Sequence, residues 1–168
     1  MSSDAAEFTA LVVCAAPLAE RWPAIVAALE QSGIDVSVVL TPEASRWEGV
    51  PTPGAEHIRR GKPSVVVVAP LTFNTLNKWA QGISDNPAVG KLNGALGRGV
   101  PVVAVPLINE ALWVHPALAP NLARLTAAGV RFLDVCTGQT PARPVPSGEG
   151  QDAAAKFDPA WITDALAG

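Results

Sequence analysis

The chain has no tyrosine, one methionine, two cysteines and two histidines, and only 16% of its 168 residues are charged. Each scarcity removes a class of chemistry. The histidines, His57 and His115, stand apart from any cluster of carboxylates, which makes a zinc or iron centre a poor fit, since such a centre needs several ligands at close spacing. Cys14 and Cys136 are distant from one another and lie in no CxxC or CxxH pattern, which reads as a cytoplasmic protein with free thiols. The opening Met1-Ser2-Ser3-Asp4 carries neither the charged start nor the long apolar core of a leader. No apolar run approaches the roughly 20 residues a membrane helix needs. The net charge of −3 leaves no basic footprint for nucleic acid and no polybasic membrane patch. A small-molecule ligand or a protein partner is the class that survives. The length suits a single domain over 1–168 with a core of its own.

What the chain does have is apolar residues, 49% of the total, gathered into short continuous runs. Leu11-Val12-Val13-Cys14, Val65-Val66-Val67-Val68-Ala69 and Val102-Val103-Ala104-Val105 are too uniformly apolar to be half solvated, and their β-branching favours strands covered on both faces; Ile34 to Leu40 alternates and then runs apolar through Val36, Val38, Val39 and Leu40, a further strand, and Val130 to Leu133 is the last. Between them lie helical spacings: Trp22, Ile25, Val26 and Leu29, with Gly33 as the stop; Leu76, Trp79, Ala80 and Ile83 in a helix over 73–84; and Leu118, Leu122 and Leu125 in a helix over 117–128. Residues 88–96 form a further helical turn or two. The order β-α-β-α-β-α-β-α-β predicts an α/β fold, a Rossmann-like doubly wound parallel sheet in three layers. Its core spans about 8–134. Residues 42–63, broken by proline and glycine, read as a short helix and then an irregular loop. Residues 138–150, rich in proline and glycine, read as a mobile arm before a short helix at about 159–166.

The stretch 64–113 organises the rest. It holds two buried strands, each ending in a polar turn: Pro70-Leu71-Thr72-Phe73-Asn74-Thr75 and Pro106-Leu107-Ile108-Asn109. Ligands of open parallel sheets bind at the carboxyl ends of the strands, where these turns fall. Thr41 supplies another hydroxyl at such an end. The first turn, Cys14-Ala15-Ala16-Pro17, lacks the glycines of GxGxxG that bring a backbone up to a pyrophosphate, which argues against a dinucleotide. A single phosphate at a helix N-terminus, helped by Thr72 or Thr75, remains open. So does the plainer reading of Thr72, Asn74 and Thr75 as helix caps. Trp47, Trp79 and Trp113 read as core or interface anchors, and Arg59, Arg60 and Lys62 as a solvated basic run.

Two segments resemble a known family. Ala69-Pro70-Leu71-Thr72-Phe73-Asn74-Thr75, followed by Lys78, Gly82-Ile83 and Asp85-Asn86, is similar to the PASANT region of the homo-oligomeric flavin-containing cysteine decarboxylases. Pro106 to Trp113, with Pro116 and Asn121-Leu122 behind it, is similar to that family's PxMNxxMW motif. The resemblance implies an FMN-binding subunit that assembles as trimers or multiples of trimers and acts on a small-molecule or peptide substrate. It implies FMN phosphate by Cys14, Ala15, Ala16 and Thr41, and cofactor contacts from Pro70, Thr72, Phe73, Asn74 and Thr75. Asn109, with Ile108 beside it, would take the substrate carboxylate. His57 would be the active-site histidine, and Cys136 would stand in the substrate clamp. The reaction implied is oxidative decarboxylation of a peptidyl-cysteine or a pantothenoyl-cysteine. The chain departs from the pattern in three places: Ala15, Ala16 and Pro17 replace Gly and Ser, Ile108 and Leu112 replace methionines, and Cys136-Thr137-Gly138 lacks the ACGD-like clamp sequence. Those departures keep two alternatives open: another flavin enzyme on this scaffold, such as a flavin prenyltransferase, and a non-catalytic member that binds flavin or a protein.

Overall fold

A computed structural model describes residues 7–168; the opening Met1-Ser2-Ser3-Asp4 lies outside them. The apolar runs form five parallel strands: β1 (Thr9–Val13), β2 (Val36–Leu40), β3 (Val65–Leu71), β4 (Val102–Pro106) and the short β5 (Arg131–Phe132). Their order in the sheet is β2-β1-β3-β4-β5. Because side chains alternate along a strand, each run feeds two cores at once. Ala10, Val12, Val66, Val68 and Ala104 face one side, against α2 (Phe73–Ala80), α3 (Pro87–Gly97) and α5 (Leu118–Ala127). Leu11, Val13, Val67, Val103 and Val105 face the other, against α1 (Trp22–Gln31), α6 (Gly150–Lys156) and α7 (Ala160–Ala167). The result is the expected three-layer, Rossmann-like sheet.

Several boundaries differ from the sequence expectation, each for a physical reason. The helix expected over 73–84 ends at Ala80. Gly82, at φ 74°, turns the chain left-handed, and Gly82 N–H and Ile83 N–H donate back to the Trp79 and Lys78 carbonyls. Ile83 is therefore not on the inward face but 45% exposed. The turn or two expected over 88–96 is an eleven-residue helix, α3, started by Asn86, whose side chain accepts from the Ala88 and Val89 amides, with Pro87 in the first turn. The short helix expected after Pro42 is only a 3-10 turn at Ala44–Arg46, with a second at Ala55–His57. The terminal helix expected at about 159–166 is α7, and a further helix, α6, precedes it.

The arm expected to be mobile is instead docked. Asp134, a buried carboxylate at the end of β5, accepts from the Cys136 and Arg143 amides and the Thr137 hydroxyl. Further along, Val145 N–H donates to the Ile108 carbonyl, and its own carbonyl accepts from Glu110 N–H. Arg21 then clamps α6 through the carbonyls of Ala154 and Phe157. Proline and glycine remove intrinsic order from 138–150, and these non-local hydrogen bonds restore it.

Candidate functional site

In this strand order the chain reverses direction across the sheet between β1 and β3, and a crevice opens outside their carboxyl ends. A cleft of about 430 Å3 lies there. Its walls come from four separate segments: the turn after β1 (Ala15, Ala16, Pro17), the turn after β3 (Thr72, Phe73, Asn74), the turn after β4 (Leu107, Ile108, Asn109), and the docked arm (Val145, Pro146, Gly148, Gly150). Trp47 and Leu112 complete the rim. The polar turns singled out in the sequence thus converge on one hollow, whose size falls in the ordinary range for a small-molecule site.

Thr72 is the N-cap of α2, and its hydroxyl oxygen accepts from Thr75 N–H at 3.4 Å. The amides of Phe73 and Asn74, first in the helix, have no carbonyl a turn behind them, so they offer donors at the positive end of the helix dipole. Asn109 caps α4 (Glu110–Trp113) by accepting from Leu112 N–H at 2.9 Å. With its oxygen committed to that cap, the free part of the Asn109 side chain is its NH2 group, a neutral donor at the cleft. Capping and ligand contact are therefore not rival roles here: the cap fixes how each side chain is presented.

Other predicted residues lie beneath this surface. Cys14 is fully buried, and burial pushes its thiol up, against hydrogen bonds with Thr75 and Thr72 that pull the other way. Thr75 is also buried, so Cys14 and Thr75 form a floor under Thr72. Pro70, joined to Ala69 by a cis peptide, accepts from Cys14 N–H at 3.2 Å and ties the two turns together. Thr41 is 2% exposed, and its hydroxyl oxygen accepts from the N–H of Ala44, the first residue of the 3-10 turn that leads to Trp47.

Two expectations are not met within the chain. His57 does not line the cleft; its ring stands edge-on to Trp22, with centroids 5.3 Å apart, and Nε2 is 3.6 Å from Glu56. Loop length alone could not reveal that, because the placement of 55–57 depends on Arg59, which grips Asp35 with two hydrogen bonds and donates its amide to Ser37. Cys136 is likewise outside the cleft, packed among the residues under α6 and α7, with its thiol pushed up by burial and by Asp134. The cysteines are free, and neither is poised as a thiolate.

Sequence reasoning missed the arm's contribution and a set of side-chain amides behind α2, in which Gln81, Asn121 and Asn77 are hydrogen-bonded in series. The signal was two side-chain amides, Asn77 and Gln81, at i, i+4 spacing along and just beyond α2.

The flavoprotein family model matches residues 44–156. The phosphopantothenoylcysteine decarboxylase of Mus musculus is 36% identical over 98 residues, covering 56% of this chain and 48% of that protein. The coenzyme A biosynthesis bifunctional protein CoaBC of Bacillus subtilis is 28% identical over 135 residues, 68% of this chain and 32% of that protein. The chain thus spans about half or less of the length of these curated relatives. Among solved structures, the FMN-dependent cysteine decarboxylase TvaF from thioviridamide biosynthesis superposes with a TM-score of 0.64 at 28% identity, covering 89% of this chain and 99% of that one. A PPC decarboxylase mutant complexed with pantothenoylaminoethenethiol superposes at 0.71 over 96% of both chains, at 17% identity, a likeness of fold.

Proposed function

The chain belongs to the flavoprotein family, and from that premise we propose that its cleft holds FMN and that the loaded protein decarboxylates a substrate bearing a cysteine carboxylate. The observation that carries the reading is the convergence of the Thr72-Phe73-Asn74 turn and Asn109 on one cleft at the β1/β3 crevice. TvaF, described as an FMN-dependent cysteine decarboxylase, supports the reaction class.

The donor set and the walls fit the cofactor. Ala15, Ala16, Phe73, Leu107, Ile108 and Val145 offer apolar surface to a flat ring system. Among the described residues no Lys, Arg or His lines the cleft, and the phosphate, which the resemblance puts by the first turn and Thr41, would instead be held by the Phe73 and Asn74 amides, the Thr72 hydroxyl and the dipole of α2. Cys14, Thr41, Pro70 and Thr75 serve this reading from behind, by fixing the turns. When bound, FMN supplies the two-electron oxidation of the thiol that makes loss of CO2 feasible. The chain's own part is orientation. The Asn109 NH2 donates to the substrate carboxylate without the full positive charge that would oppose its departure as CO2, Ile108 packs beside it, and the arm at Val145 and Pro146 limits access of water.

Assembly as a homotrimer, or a multiple of trimers, belongs to the same reading, supported by Leu112 and Val114, 38% and 79% exposed, next to the cleft. So do a single flavoprotein domain and residence in the cytoplasm, the latter supported by the free cysteines; among the described residues no helix is long and apolar enough to cross a membrane. His57 and Cys136 have no part in the reading within one chain.

Anaerobic incubation of the FMN-loaded protein with cysteine-terminated peptides and with pantothenoyl-cysteine tests it. The expected product is lighter by the mass of CO2. Unchanged mass with both substrates, from a protein that retains its flavin, overturns the decarboxylase reading.

A further inference from the structure

Behind the cleft wall, α2 and the Gln81 residue that ends it meet α5 through polar side chains as well as through the apolar core. Asn121, on α5, is 5% exposed, and both ends of its amide are used. Its oxygen accepts from Gln81 Nε2 at 2.7 Å, and its nitrogen donates to Asn77 Oδ1 at 2.7 Å. The Asn77 nitrogen in turn donates to the Phe73 carbonyl at 2.9 Å. All three bonds run in one direction, from Gln81 through Asn121 and Asn77 to Phe73. Amides hydrogen-bonded head to tail polarise one another, and the effect accumulates at the last acceptor.

That acceptor is half of a rigid unit. The Phe73 carbonyl shares a planar, trans peptide with the Asn74 N–H, which points the opposite way, out of the helix N-terminus and towards the cleft. Drawing electron density to the carbonyl makes the N–H a stronger donor, and fixing the carbonyl's direction fixes that of the N–H. The far end of α2 is pinned as well, by Arg124 Nη1 donating to the Ala80 carbonyl at 3.0 Å. Helix packing alone does not require this arrangement, since a leucine at 121 would fill the space between the helices without burying an amide.

We infer that Asn121 is a positioning residue for the cleft: through Asn77 it orients and polarises the peptide whose N–H, that of Asn74, meets the bound group. The consequence for affinity rests on the FMN reading above; the relay itself does not.

Asn121→Asp isolates the relay. The carboxylate keeps the volume and still accepts from Gln81, but it has no N–H for Asn77. Asn77 then turns its own NH2 to the carboxylate and leaves Phe73. In the protein without FMN, the Asn74 amide proton moves upfield in 1H–15N NMR spectra. With FMN, the dissociation constant rises about tenfold, the effect of roughly one hydrogen bond, and the flavin absorbance bands shift. Asn77→Asp, which breaks the chain one link nearer Phe73, gives the same pair of changes and serves if Asn121→Asp does not fold. Leu125→Ala, a core truncation on the same helix, lowers the melting temperature and leaves both readouts unmoved. An unmoved Asn74 amide, or an FMN affinity within about twofold of wild type, overturns the inference. A wild-type protein that binds no FMN counts against the cofactor reading instead, and the Asn74 shift then decides the relay alone.

Discussion

Asn109 shows how one side chain can serve fold and chemistry together. Its oxygen starts α4 and its nitrogen remains for a ligand. Aspartate is an equally good N-cap, so Asn109→Asp leaves the turn in place and replaces only the donor with a negative charge. Decarboxylation is expected to fall below detection, while FMN stays bound with an unchanged visible spectrum; loss of the flavin would show that Asn109 holds the cofactor rather than the substrate carboxylate. A second single-residue effect concerns acid stability. The Arg59 guanidinium hydrogen-bonded to Asp35 holds that carboxyl below its usual range. A carboxyl whose pKa is lower in the folded state stabilises fully above the unfolded value, about 3.9, and its contribution drains away as pH falls through the folded value. The pair is more than a third exposed, so solvent screens it and the effect is small. Asp35→Asn should lower the melting temperature slightly at neutral pH and not at pH 2, bringing the two curves together on the acid side; parallel curves across that range would remove Asp35 from the acid response.

At the scale of elements, the strands and the cleft turns were legible in the sequence because their signals are local. Three uninterrupted apolar runs, at 11–14, 65–69 and 102–105, point to a covered parallel sheet, and a polar turn at the end of such a run has few places to go. What was not legible depended on contacts between distant residues. The proline- and glycine-rich segment 138–150 has the composition of a free arm, and its hydrogen bonds to Asp134, Ile108 and Glu110, with the burial of Ala142 and Val145, hold it at the cleft. Ile83 fits the helical spacing but falls beyond the Gly82 stop. His57 sits in a loop whose path is set by Arg59 on Asp35. The start of the arm tests this account of tertiary order. Gly138 is left-handed at φ 68°, and a Cβ built there would lie 2.3 Å from the Trp161 ring. Gly138→Ala combines backbone strain with overpacking and should destabilise by about 2 to 4 kcal/mol, read as a lower midpoint in urea with the Trp161 helix α7 losing amide protection first. A midpoint equal to that of wild type would mean that α7 does not pack on Gly138 in solution.

For the whole molecule, the sheet order brings four separate segments to one crevice, and the neutral lining of that crevice sets the terms of binding. With no cationic side chain among the described residues at the cleft, affinity for a phosphate-bearing flavin would, on the proposed reading, rest on amides, a hydroxyl and the α2 dipole, which makes binding dependent on the geometry of the turns rather than on net charge. Titration of FMN into the purified, flavin-free chain tests this most directly, with visible absorbance and melting temperature followed together. Saturation at one FMN per chain, a shifted flavin spectrum and a melting temperature that climbs with FMN concentration are the predicted results. A spectrum identical to that of free FMN, with a melting temperature indifferent to its concentration, would contradict the account.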